Sequence, residues 1–150
     1  MAPNDVATIA AAIGAEPDDV VDAQWADNGP GWVALLLRDA DRVLALNPDL
    51  ARFGRFPDIG VIGPQSSGSD TAFEVRAFCA ADGAEDPVTG SLNAALAQWL
   101  IPAGYAPDIY VAAQGTRLGR KGRVYVSRVG DQIWVGGDTV VGITGKVNFP

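Results

Sequence analysis

The segment Glu85-Asp86-Pro87-Val88-Thr89-Gly90-Ser91 joins an acidic, proline-broken turn to three small residues, and an apolar run follows it. Leu92, Ala95, Leu96, Trp99 and Leu100 recur at intervals of three and four, which predicts a helix over 92–101. Little of that helix is left for water, so it reads as mostly buried. The first amides of a helix have no partner inside it, and here Thr89, Gly90 and Ser91 put no bulky side chain over them. Such an N-terminus suits a carboxylate or a phosphate, and the function is placed there. The same residues also have a plain structural use, with Asp86 as an N-cap, Pro87 at the first helical position and Ser91 as a capping hydroxyl. A cap exposed at a cleft serves both purposes.

Other chemistries are closed by composition. The 150 residues include no histidine, so Ser-His-Asp and Cys-His catalysis and histidine metal sites are excluded within the chain. The one cysteine, Cys79, allows neither an internal disulfide nor a cysteine metal cluster, and it reads as a buried, inert thiol. Gly136-Gly137 lacks the context of a nucleotide-binding loop. No cofactor and no metal are expected. A net charge of −7 argues against nucleic acid and anionic membrane as partners. Neither a leader nor an apolar run of bilayer length is evident, and the expected location is the cytoplasm. Glu74 and Arg76 share one face of a strand and are expected to pair. Arg117, Arg120, Lys121 and Arg123 cluster in a turn and read as a solvated basic patch.

The elements that must position the 85–91 segment belong to one domain, 1–150, with 48% hydrophobic residues and 18 glycines and 10 prolines spread along it as turns. A short helix is expected from Asn4, as cap, to Ile13, ended by Gly14. Val20–Trp25 and Trp32–Arg38 read as strands joined by Asp27-Asn28-Gly29-Pro30-Gly31, the second covered on both faces. Asn47-Pro48-Asp49 opens a helical turn. Ile59–Gly63 and Thr71–Phe78 read as strands on either side of a polar loop, Gln65–Asp70. After the central helix come the strands Ile109–Ala113, Arg123–Val129, Gln132–Val135 and Thr139–Val147, with Gly130-Asp131 as a hairpin turn. The fold class is therefore α+β: a curved, mostly antiparallel or mixed sheet wrapped round a central apolar helix.

Phe73-Glu74-Val75-Arg76-Ala77-Phe78, Gly83 and Glu85-Asp86-Pro87-Val88-Thr89-Gly90-Ser91 together resemble the second, C-terminal domain of the PhzF-like family of phenazine biosynthesis. Gln114-Gly115-Thr116-Arg117-Leu118-Gly119-Arg120 resembles the family's Gln-Gly…Gly-Arg element, and Gly136-Gly137 with Gly145 its closing strands. The resemblance spans about Phe73 to Val147. It implies one diaminopimelate-epimerase-like domain of a pair, with the active site in the cleft between the two. It also implies roles: Asp86 matches the aspartate this domain contributes, Ser91 the active-site serine, and Gly90 the small residue between them. Thr89 stands where the epimerase and racemase relatives carry a thiol. The first-domain glutamate and histidine have no counterparts in the chain.

Two functions follow from the resemblance. One is a cofactor-free isomerase module that shifts a proton within a small carboxylated substrate. Asp86 and Ser91 would be its catalytic residues, Thr89, Gly90 and Ser91 its substrate-binding residues, and a second copy or a separate first-domain-like chain would complete the site. The other is a noncatalytic domain that binds a small acid or dimerises through an exposed apolar face.

Overall fold

The computed structural model describes residues 1–56 and 58–149. A helix α1 (Pro3–Ile13) leads to strands β1 (Val20–Ala26) and β2 (Trp32–Leu37), then a short helix α2 (Ala40–Ala45). Strands β3 (Asp58–Pro64), β4 (Phe73–Cys79) and β5 (Ala84–Asp86) precede the central helix α3 (Gly90–Leu100). Strands β6 (Ile109–Gln114), β7 (Gly122–Val129) and β8 (Gln132–Gly136) follow. All the strands form one sheet, ordered β1-β2-β3-β4-β6-β7-β8 with β5 beside β4. The β2/β3 and β4/β6 pairs are parallel and the others antiparallel, so the sheet is mixed.

The sheet curls round α3, which touches β1 and β2 on one side and β7 and β8 on the other. Leu92, Ala95, Leu96, Ala97 and Leu100 of α3 meet Trp32, Ala34, Leu36, Val75, Ala112 and Val126 inside the curl. A second apolar core lies on the outer face, where Ile9 and Ile13 of α1 and Val43 of α2 meet Val33, Leu35, Ile59, Val61 and Phe78. Strand β2 serves both cores, which is why all six of its residues are buried and its sequence does not alternate. Two glycines of β3 admit the helices on either side. A Cβ on Gly60 would lie 2.2 Å from Leu92 of α3, and one on Gly63 would lie 2.3 Å from the backbone oxygen of Asp39 before α2.

Helix α1 begins at Pro3 with Ala2 at the cap, so Asn4 is not its cap. Proline fits the first turn because its missing N–H would have no partner there. Gly14 ends the helix at φ +75°, as expected. Helix α2 has only six residues, too few to show a period, and Asp39 caps it by accepting from the Arg42 amide at 2.9 Å. The stretch Thr139–Val147, expected as a strand, carries no secondary structure, and none of the described strands pairs with it. A strand forms only where another offers its backbone groups.

Candidate functional site

Strand β4 divides one of its edges between two neighbours. Phe73–Val75 pairs with β6, and Ala77–Cys79 pairs with β5. Gln114, the last residue of β6, is thereby set opposite Val75, and Asp86, the last residue of β5, opposite Ala77. Val75 and Ala77 both face the inner core. The two strand ends therefore meet on the α3 side of the sheet, about two residues apart along β4.

Gln114 is fully buried and ties this junction together. Its Nε2 donates to the Asp86 backbone oxygen at 3.0 Å and to Thr89 Oγ1 at 2.9 Å. Its Oε1 accepts from the Thr89 amide at 3.1 Å and from Asn93 Nδ2 at 2.9 Å. Asn93 Nδ2 also donates to the Thr89 backbone oxygen. Thr89 Oγ1 in turn donates to Asp86 Oδ2 at 2.7 Å. Asp86 does not cap the helix, and Pro87 is not its first residue. Thr89 is the N-cap, and its hydroxyl is committed to Asp86 rather than to an α3 amide.

The first turn of α3 is pinned from the opposite side by the β1–β2 turn. Asn28 Nδ2 donates to the Ser91 backbone oxygen at 2.9 Å, and Trp32 Nε1 donates to Ser91 Oγ at 3.1 Å. The Ser91 hydroxyl therefore accepts rather than caps, and its own proton has no partner among the described residues. The amides of Gly90 and Ser91 lack partners there as well, and a Cβ on Gly90 would meet nothing within 4 Å. Two N–H groups and one O–H group in the first turn of α3 are thus without partners among the described residues, next to Thr89, whose hydroxyl holds the Asp86 carboxylate. Thr89, at 7% exposure and with amide and hydroxyl engaged, holds the site rather than facing a ligand.

The loop after β6 lies against the same turn. Gly115 has φ +83°, and a Cβ there would stand 2.7 Å from the Pro87 carbonyl oxygen, so glycine is required twice over. At the other end of the loop Gly122 abuts Val88. Arg117, Arg120 and Lys121 between them are exposed and make no ion pair among the described residues. They add positive charge beside a helix N-terminus that is already favourable to an anion. Arg123 differs, pairing with Asp70 at 2.9 Å.

Three further groups stay out of the chemistry. Burial, with Asp58 and Asp86 nearby, pushes the Cys79 thiol up to about 11, as befits an inert cysteine. Arg76 pairs not with Glu74 but with Glu85 of β5, through Nε at 3.0 Å and Nη2 at 2.7 Å. Its Nη1 donates to the Val43 and Leu46 carbonyls at the end of α2. Glu85 sits opposite Phe78 on the adjacent strand, diagonal to Arg76, and there it offers both carboxylate oxygens to the guanidinium fork. Glu74 is left buried with Gln65 at 3.3 Å from Oε2 and nothing on Oε1, and burial raises its pKa. Among the described residues there is no group of three or more potential metal ligands.

Over residues 2–146 the chain matches PhzC-PhzF, the phenazine biosynthesis-like proteins. It belongs to that family. Among solved structures it is similar to a PhzF-family protein of Enterococcus faecalis, with 22% identity and a TM-score of 0.67 over 91% of this chain and 48% of that one. A PhzC/PhzF protein of Clostridium difficile gives 24% and 0.65 over 99% and 52%, and a PhzF-family protein of Bacillus anthracis gives 20% and 0.58 over 84% and 48%. No curated protein matches. At these identities the structures establish the fold, a diaminopimelate-epimerase-like half-barrel round a helix. The chain spans about half the length of each.

In this member of the family, the sequence offered Asp86, Thr89, Gly90 and Ser91 as candidates but not the residues that hold them in place. Gln114 stood inside a motif quoted for resemblance, and a buried glutamine before an obligatory glycine was the available signal. Asn28, Trp32 and Asn93 gave none, because their partners lie 63, 59 and 21 residues away.

Proposed function

We propose that this chain is a cofactor-free isomerase module that shifts a proton within a small carboxylated substrate. The observation that carries the reading is the set of three open donors, from the amides of Gly90 and Ser91 and the hydroxyl of Ser91, beside Asp86. A carboxylate bound there would be held by groups that need not reorganise. If that carboxylate is conjugated to the reacting carbons, charge that develops when a proton leaves carbon flows toward the donors. The C–H electron pair enters the conjugated system, and a proton returned at its far end gives the isomer. Asp86, oriented by the Thr89 hydroxyl, would hold the migrating proton or a substrate amine. Thr89 acts as a positioning residue.

The base that completes the reaction would come from a second copy or from a first-domain-like chain. The proposed setting is the cytoplasm, and no helix among the described residues is long and apolar enough to cross a membrane. A noncatalytic role, in binding a small acid or in dimerisation, is the second reading. The apolar outer face of β6–β8, with Ile109, Tyr125, Val129 and Trp134 exposed, favours it.

The test is proton exchange into small unsaturated carboxylic acids in D2O, followed by NMR, with the chain at a concentration where its association state is known. Exchange that falls at least about a hundredfold in Asp86→Asn, with the fold retained, supports the isomerase. Saturable binding of such acids without exchange leaves the binding domain. A chain whose binding is untouched by Gly90→Asp does not use the α3 N-terminus at all.

A further inference from the structure

Trp32 commits the one polar atom of a buried ring to a serine whose hydroxyl has no other partner among the described residues. The indole is 3% exposed and belongs to the inner core with Leu92 and Leu96. Core packing asks only for an apolar ring of this size, whereas a buried N–H also needs an acceptor. Here that acceptor is Ser91 Oγ, at 3.1 Å. The β1–β2 turn sets the approach. Asp27 Oδ1 accepts from the Gly29 amide at 2.8 Å and from the Gly31 amide at 2.9 Å, and Trp32 is flanked in the sheet by Ala26 and Asp58. From the same turn Asn28 Nδ2 holds the Ser91 carbonyl, so the backbone and the hydroxyl of Ser91 are gripped together.

The direction of the Trp32 bond decides what Ser91 can do. An indole N–H only donates, whereas a hydroxyl has one proton and two lone pairs. With Trp32 on one lone pair, the Ser91 proton has to go elsewhere. The usual resting place for the proton of a helical serine is a carbonyl one turn back. Ser91 makes no such bond to Pro87 or Val88 among the described residues, and it stays half-buried beside the exposed Gly90.

We infer that Trp32 is a positioning residue that fixes Ser91 as a donor toward the ligand. The inference rests on the reading that a small carboxylate binds at the α3 N-terminus, and it names what that end of the site discriminates. The Ser91 hydroxyl and the Gly90 and Ser91 amides are then all donors. A carboxylate offers acceptors to all three. A carboxamide of the same shape has one oxygen, and its NH2 group meets donors. A carboxylate that accepts from Ser91 makes Oγ the better acceptor, so the Trp32 bond tightens in the complex. Trp32 thus sets specificity without touching the ligand.

The experiment is an NMR titration of the isotope-labelled chain with benzoate and with benzamide, followed through its four tryptophan indole signals. The Trp32 signal is identified by its loss in Trp32→Phe, which keeps an aromatic ring in the core, or in the parent by its Overhauser contact with Ser91. Benzoate is expected to move that indole proton downfield in the parent, and benzamide to leave it in place. Ser91→Ala should abolish the shift. The preference for benzoate over benzamide should fall about tenfold in Trp32→Phe, with far-UV circular dichroism unchanged. In a Ser91→Ala background Trp32→Phe should change nothing further, since Trp32 acts through Ser91. Benzoate that binds without moving the Trp32 signal overturns the inference. So does a folded Trp32→Phe chain with the parent's preference, or a parent that binds no benzoate. A preference that depends on Trp32, with no proton exchange in the D2O assay, leaves this inference standing and removes the isomerase. Exchange in the parent alongside an unmoved Trp32 signal does the reverse.

Discussion

The two halves of the sheet are built from similar strands but finished differently. Strands β2, β3 and β4 are sealed on both faces, by α3 within and by α1 and α2 without. Strands β6, β7 and β8 share the same inner core, yet on their outer face Ile109, Tyr125, Val129 and Trp134 remain 46–74% exposed. Ile109, Ser127 and Trp134 even line up in one row across the three strands. One half is complete in itself and the other is half-dressed. The open donors of α3 and the Asp86–Gln114 junction lie at the seam between them, where β4 passes from one set of neighbours to the other. The site proposed at this seam would take its rigidity from the sealed half and its access from the open one.

The contrast is broken most severely at Arg76. It is buried, forked onto Glu85 and bonded to two carbonyls of α2, so Arg76→Met leaves the Glu85 carboxylate and those carbonyls unpaired. Urea unfolding should show a loss of about 3–5 kcal/mol. Next comes the seam. Gln114→Leu strands the Thr89 amide and leaves Asn93 Nδ2 with the Thr89 carbonyl alone, and a loss of about 1–3 kcal/mol is expected together with weaker binding of small carboxylates, measured by titration.

A third effect depends on pH. Burial raises the Glu74 pKa above its ordinary 4.5, so the folded state favours the neutral acid. The resulting contribution is present in full below the unfolded value and is lost as pH rises through the folded one. Glu74→Gln should flatten that fall, so the variant gains on the parent as pH is raised from 4 toward neutrality in thermal melts. The smallest effect belongs to the open half. Tyr125→Ser and Trp134→Ser should each change unfolding stability by no more than about 0.5 kcal/mol. A large loss from either would mean that the bare face is covered, and the contrast would then fail.

Much of this was legible in the residues. The apolar period of 92–100, the αL glycine after Ile13 and the continuous apolar run of β2 are local signals, and each element formed where its signal lay. The small residues at the α3 N-terminus could be seen for the same reason, because a helix exposes its first amides whatever surrounds it. Pairings were not legible. Arg76 takes Glu85, nine residues away, through the β4–β5 register, which no spacing within β4 reveals. Gln114 meets Thr89 only because β4 splits its edge between β5 and β6. The 139–147 stretch has the alternation of a strand and forms none among the described residues. Sequence alone determined what closes its own hydrogen bonds along the chain, above all the helix and its open end. Only the tertiary structure decided which distant groups satisfy one another, because a sheet and a buried polar network take their partners from elsewhere in the fold.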